Sequence, residues 1–263
     1  MKLLFKIVLL LFPFLIYSQH SSKMDVRVNT EEKTLLIRQI ITFNNTSNDT
    51  LHHIILNDWN NAFSSKSSDL AKKYSDEFVR AFHLATEKER GYTEIKTIVD
   101  NNFQSINWER PNEKVDLVKL NLNQPVLPCS KSTYTLVYSV KIPDSKFTRY
   151  GFDNNGRITL RNWFLNPSRY EHKQFVQQSN ENLDDIPNAF SDFEIEIEIP
   201  TNYSLASNLT EISATEQTNS KKVILNSKNK NDVTITIQPT NTYQTYKNEI
   251  IEVSCGLEDD RVK

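Results

Sequence analysis

Residues 191–207 read SDFEIEIEIPTNYSLAS, and from Asp192 to Ile199 the chain alternates without a fault. Phe193, Ile195, Ile197 and Ile199 fall on one face, and Asp192, Glu194, Glu196 and Glu198 on the other. A period of two with one apolar and one charged face is a half-buried β-strand. The strand ends at Pro200, and Pro-Thr-Asn-Tyr followed by Ser-Leu-Ala-Ser-Asn reads as a turn into another strand. Ahead of it lie an aromatic-Pro loop, RNWFLNPSRYE from Arg161, and an acidic approach, Asp184-Asp185-Ile186-Pro187.

Working outward, the same alternation recurs. Asp25 to Asn29 and Leu35 to Phe43 form a pair around the polar turn at residues 29–33, and Leu51 to Leu56 follows a cluster of turn formers. Further strands are expected at Glu94 to Val99, Phe103 to Trp108, Val115 to Leu122, Thr133 to Ile142, Arg157 to Phe164, Lys222 to Leu225, Val233 to Ile237 and Ile250 to Cys255. Residues 208–222 are polar enough for a mobile hairpin tip. From Ser67 to Arg90 the period changes: Leu70, Ala71, Tyr74, Phe78, Val79, Phe82 and Ala85 recur at three and four, with Ser67 or Ser68 as N-cap and Gly91 past the end. The expected fold is mainly β, an antiparallel sandwich or saddle-shaped domain with one inserted amphipathic helix packed on the sheet.

The first residues carry Lys2 and Lys6, an apolar run from Ile7 to Tyr17 interrupted by Pro13, and Ser18. This is the pattern of a secretory signal peptide over residues 1–18, leaving residues 19–263 as one β-domain, exported to the periplasm or secreted. The run is shorter than the ~20 apolar residues of a membrane helix, so no stable membrane anchor is expected. Lys and Arg are interspersed with Asp and Glu at a net charge of −2, which excludes a basic stripe for nucleic acid. Cys129 and Cys255 are the only cysteines. They are either one disulfide closing a long loop, worth ~4–5 kcal/mol by the chain-entropy model, or two separate thiols.

Catalytic signatures are absent from the sequence. None of His20, His52, His53, His83 and His172 begins His-Glu-x-x-His, the helical arrangement that puts two imidazoles and a general base around zinc. His83 and Glu87 are one helical turn apart but lack a third ligand, and His52 and His53 point to opposite faces of a strand. There is no Gly-x-Ser-x-Gly elbow, and four glycines do not make a phosphate-cradling loop. Carboxylate pairs such as Asp184-Asp185 and Asp76-Glu77 read as turn and helix-surface groups. Trp59, Trp108 and Trp163 are either core residues or stacking platforms for a glycan.

Several stretches together resemble the N-terminal domain of aminopeptidase N-like zinc metallopeptidases of the Bacteroidota type. These are the opening VRVNTEEKTLLIRQIITFNNTSNDTLHHIILNDWNNAFS, the helix LAKKYSDEFVRAFHLATEKERG, then IPDSKFTRYGFDNNGRITLRNWFLNPSRYE and LDDIPNAFSDFEIEIEIP. The resemblance implies a saddle of β-sheet that packs on a catalytic metallopeptidase domain and lends a loop to the substrate's amino-terminal pocket. Asn154, Asn155 and Arg157 correspond to that substrate-facing loop, where the family carries Gln or Glu. The Gly-x-Met-Glu-Asn loop of the family is absent. No catalytic or metal-ligating residue and no cofactor is expected in this chain, with zinc belonging to the missing or separate catalytic partner. The alternative expectation is a self-contained exported β-sandwich that binds a protein or glycan.

Overall fold

The computed structural model describes residues 20–148, 150–181, 187–239 and 244–255. The signal-peptide reading and the acidic approach at 184–186 lie outside the described residues. Nineteen strands follow in chain order among them. They are β1 (His20–Asn29), β2 (Thr34–Asn44), β3 (Leu51–Asn57), β4 (Tyr92–Asp100), β5 (Asn107–Glu109), β6 (Leu117–Val126), β7 (Lys131–Lys141), β8 (Gly151–Phe152), β9 (Ile158–Arg161) and β10 (Asn166–Pro167). After these come β11 (Tyr170–Glu171), β12 (Gln174–Phe175), β13 (Ser191–Pro200), β14 (Ser204–Ser207), β15 (Thr210–Glu216), β16 (Ser220–Lys230), β17 (Thr234–Gln238), β18 (Gln244–Lys247) and β19 (Glu252–Cys255). The fold is mainly β, as the alternation requires.

The largest sheet has the order β15-β16-β13-β1-β2-β7-β4. Two four-stranded sheets, β10-β3-β6-β5 and β14-β17-β9-β8, accompany it, with the ribbons β11-β12 and β18-β19 standing apart. The apolar faces of the three larger sheets merge into one buried cluster. Among the described residues the strand pairs are antiparallel except β1 with β13, which lie parallel with Met24 beside Ile195 and Val26 beside Ile197.

The decisive strand sits at the centre of this arrangement. Phe193, Ile195, Ile197 and Ile199 are all buried, while the carboxylates on the other face are paired on both flanks. Lys23 reaches Glu194 at 2.6 Å, Arg27 reaches Glu198 at 3.3 Å, and Lys222 reaches Glu196 at 2.6 Å. The outer face is therefore a charge ladder across three strands, in which each exposed pair stabilises by at most ~1 kcal/mol. On β2, Gln39 takes a core position within an otherwise apolar row. It is satisfied there: its amide donates to Ser22 Oγ and to Leu165 O, both at 2.8 Å, and its carbonyl accepts from Tyr138 at 2.6 Å.

The helix expected over residues 67–90 is broken. Ser68 caps its start, accepting from Ala71 N at 3.2 Å, but the helix runs only from Asp69 to Asp76. A second, Arg80–Leu84, and a turn of 3₁₀ helix, Glu87–Glu89, complete the segment. The break is a Schellman closure: Val79 N donates to Tyr74 O at 2.7 Å and Phe78 N to Ser75 O at 3.0 Å, with Phe78 at φ 58°. That left-handed position favours glycine, whereas Phe78 occupies it with its ring exposed. Phe78→Gly is accordingly expected to raise stability by about 0.5–1 kcal/mol, read as a higher urea midpoint at unchanged slope.

Other expectations move by local geometry. Phe103 lies in the turn before β5 at φ 59°, so the strand expected from 103 shrinks to three residues. Asn162 at φ 51° stops β9 short of Phe164. The polar stretch 208–222 holds β15, a fully exposed edge strand on β16, in place of a simple hairpin tip. Cys129, in the β6–β7 turn at φ 54°, is a free, exposed thiol. Among the described residues no helix is long and apolar enough to cross a membrane.

His20 anchors the start of β1. Its ring lies 4.6 Å from that of Phe43, its Nδ1 accepts from Asn44 N at 3.1 Å, and burial pushes its pKa from 6.5 down to about 4. The unfolded chain binds a proton at this residue below pH 6.5 that the folded chain refuses until about pH 4. Stability from this group is therefore complete above that range and falls by up to about 3 kcal/mol as pH drops through it. A His20→Gln variant is expected to flatten that part of the stability profile, measured by urea unfolding from pH 7 to 4.

Candidate functional site

The residues that the resemblance assigns to a substrate-facing loop form the β8–β9 turn. Asp153 organises it, its Oδ1 accepting from Asn155 N and Arg157 N, both at 2.9 Å. Gly156 supplies the positive φ of 80° that this turn requires. Asn154 lines a shallow groove with Lys33, whose Nζ sits 3.5 Å from the centre of the Phe152 ring, and with Thr30 and Ile158. Arg157 donates to Gln238 Oε1 at 3.0 Å. The three residues share one turn, in which Asn154 lines the groove and Arg157 is bonded to Gln238.

A larger cleft of about 710 Å³ opens between the helical insert and the β9–β17 sheet. Its walls come from Trp59, Phe63, Tyr74, Val79, Phe147, Tyr150, Asn162 and Asn180, with Glu77 and Arg161 also contributing. The segment Asn57-Asp58-Trp59-Asn60-Asn61 is buried throughout, although four of its five side chains are polar. Its backbone forms a 3₁₀ turn, Trp59–Phe63, and the polar side chains are tied into a network that holds Trp59 in place.

Asp58 is the centre of that network. It accepts from Thr93 Oγ1 at 2.6 Å and from Arg110 Nη2 at 2.8 Å. Burial pushes its carboxyl above the usual range, and the Arg110 guanidinium and the Thr93 hydroxyl oppose that rise. Asn60 Oδ1 accepts from the Tyr150 hydroxyl at 2.6 Å, and Asn61 Nδ2 donates to Val115 O at 2.6 Å. A second carboxylate, Asp116, accepts from Ser179 Oγ at 3.0 Å and from Asn180 N at 2.5 Å. Burial raises it also. Asn180 then donates through Nδ2 to Trp59 O at 3.4 Å, joining the two networks.

On the opposite wall, Asn162 is held by a relay of amides. Asn57 Nδ2 donates to Asn188 Oδ1 at 2.8 Å, and Asn188 Nδ2 donates to Asn162 Oδ1 at 3.3 Å and to Asn231 O at 3.1 Å. Four atoms that belong to the cleft's lining residues nevertheless have no hydrogen-bond partner among the described residues. They are Trp59 Nε1, Tyr74 Oη, Asn162 Nδ2 and Asn180 Oδ1. Leaving a buried polar group unsatisfied costs about 1–3 kcal/mol, so each of these shielded atoms is costly to the fold.

Of the three tryptophans, Trp59 and Trp163 are buried and Trp108 is half-exposed on β5. Trp59 is both a core residue and a wall of the cleft. The sequence places Tyr74 only in the apolar stripe of the expected helix and gives Asn162 and Asn180 no role. Their distances along the chain conceal that they line one cleft.

The histidines do not assemble a metal centre. His83 Nε2 is 2.9 Å from Ala71 O and 2.8 Å from Ser75 Oγ, which places a proton on that nitrogen and binds the second short helix to the first. Among the described residues no three His, Cys, Asp or Glu side chains group as metal ligands. The described residues therefore do not fit a zinc ion.

Searches for a matching family model and for a matching curated protein find none. Among solved structures, an M1 zinc metallopeptidase from Deinococcus radiodurans aligns with 92% of this chain and 48% of its own, at 14% identity and a TM-score of 0.49. A point mutant of an M1 zinc metallopeptidase from the same organism aligns with 89% of this chain and 45% of its own, at 14% identity and a TM-score of 0.48. The chain spans about half the length of the solved structures it matches, and its likeness is to part of an M1 metallopeptidase.

Proposed function

We propose that this chain is the non-catalytic β-domain of an exported M1-type zinc metallopeptidase, a scaffold that docks against the zinc-bearing half. The observation that carries this reading is the ribbon β18–β19. Among the described residues its strands pair with each other alone, and Tyr246 faces Val253 across them. Tyr246, Ile250, Ile251 and Val253 are 47–94% exposed, with the two isoleucines beside a turn closed by Asn248 Oδ1 accepting from both of their amides at 2.8 Å. A lone two-stranded ribbon is marginal in water, and an apolar cluster of this kind marks a surface that another body covers. The stretches that carry the sequence resemblance support the same reading, since they form β1–β3 and β13 with the buried faces expected of them.

Within this reading the β8–β9 turn is the loop lent to the substrate's amino-terminal pocket, with Asn154 and Asn155 facing substrate and Arg157 holding the turn against Gln238. The experiment is reconstitution: the purified chain is mixed with a polypeptide from the same genome that carries His-Glu-x-x-His in an M1-type domain. A one-to-one complex is expected by light scattering after gel filtration. Ile250→Lys with Ile251→Lys should weaken it by at least ~10-fold, corresponding to ~1.4 kcal/mol. No complex, or one indifferent to the double variant, would count against the proposal.

A further inference from the structure

The turn between the two short helices of the insert carries an aromatic ring that the chain's own packing does not use. Phe78 closes the first helix at φ 58°, a conformation disfavoured for a bulky side chain, and its ring is 87% exposed. A residue held in an unfavourable backbone conformation with its apolar surface in water points to a role outside the fold. We infer that this turn is the centre of a weak two-fold contact between two copies of the chain, with the two Phe78 rings packed against each other.

The order of charges around Phe78 identifies the occupant. Residues 76–80 read Asp-Glu-Phe-Val-Arg, so Phe78 lies midway between Asp76 and Arg80. Lys72 is paired with Asp69 at 2.8 Å and Lys73 with Glu77 at 3.6 Å. Asp76 and Arg80 are both exposed, and neither belongs to an ion pair among the described residues. In a two-fold contact one patch serves both copies with its order reversed. Asp76 then meets the partner's Arg80, Arg80 meets the partner's Asp76, and the rings meet between them. A surface of a single sign would satisfy one of these charges and oppose the other, so the patch is complementary to itself. Leu84, 79% exposed, lies one turn after Arg80 on the same face of the second helix and adds apolar area there.

The base under this patch is fixed. Phe82, on the opposite face of the second helix, is fully buried, with its ring 5.2 Å from that of Phe147, 5.5 Å from Tyr74 and 6.2 Å from Phe63. The patch offers a handful of residues against the ~20–30 per side of a standard interface, which sets the contact at the weak end, with a Kd on the order of 10–100 µM.

The test is sedimentation equilibrium of the full mature chain from ~5 to ~300 µM, where a monomer–dimer equilibrium is expected. Phe78→Gly should weaken it by at least ~10-fold while leaving the urea midpoint no lower than that of the parent, which separates a lost contact from a lost fold. Asp76→Arg and Arg80→Asp should each weaken self-association, since each sets like charges against one another across the two-fold. Mixed in equal amounts, these two variants should form a dimer at least ~10-fold tighter than either alone, because both cross-pairs are then of opposite sign. Ile250→Lys with Ile251→Lys, on the separate ribbon, should leave self-association unchanged. A monomer at every concentration, a dimer indifferent to Phe78→Gly, a mixture no tighter than its components, or a dimer abolished by the ribbon variant would each overturn the inference.

Discussion

Replacing Arg110 with Met is expected to destabilise the chain by about 3–5 kcal/mol, because it strands the buried Asp58 carboxylate without its countercharge. Asp58 is fully enclosed at the start of the 3₁₀ turn, and Arg110 reaches it from the loop after β5 at 2.8 Å. The guanidinium opposes the upward push of burial on this carboxyl. Without it the group takes up a proton more readily, and a neutral carboxyl is less costly to bury. The loss should therefore shrink as pH falls from 7 toward 5. Asp58→Asn combined with Arg110→Met should recover much of the stability, since an amide oxygen still accepts from Thr93. Urea unfolding of the two variants at both pH values checks this, and equal losses in single and double variants would show that the pair does not act as described.

Ile197→Ala is the second large effect, at about 2–5 kcal/mol. Ile197 is completely buried on β13, beside Val26 on one flanking strand and Val223 on the other. Truncation removes apolar surface from the middle of the main sheet, where neighbours on both sides are fixed by ladder hydrogen bonds and cannot collapse into the space. Glu196→Ala, one residue away on the charged face, should cost no more than ~1 kcal/mol even though it breaks the bond to Lys222. The contrast between adjacent residues measures how sharply the two faces differ. Comparable losses at both positions would contradict the assignment of the strand's inner face.

That contrast was legible from residues alone, because alternation reports which face is buried whatever the neighbouring strand. Partnership was less legible. Nothing in residues 191–200 announces that β13 runs parallel to β1, since the two strands lie far apart in the chain and their pairing is set by how the whole sheet closes. The break in the helix was hidden for a different reason: its left-handed closing residue is Phe78, where a glycine would have signalled a stop. The cleft was the least visible feature. Trp59 stood out as a possible platform, but Tyr74, Asn162 and Asn180 come from three other segments, and only the fold brings these residues to the same cleft.

The loop residues Asn154, Asn155 and Arg157 illustrate how far a resemblance reaches. Their turn forms because Asp153 accepts from two backbone amides and Gly156 admits a positive φ, both of which are local and readable. Their role toward a substrate depends on a second body, and the proposal assigns that body to the face marked by Tyr246, Ile250, Ile251 and Val253.

The most direct measurement is zinc content and aminopeptidase turnover of the purified mature chain, assayed alone against a panel of aminoacyl reporter substrates. A non-catalytic scaffold should be folded, hold no stoichiometric zinc and release no reporter. Stoichiometric zinc with chelator-sensitive turnover would contradict the account and place a catalytic centre within this chain.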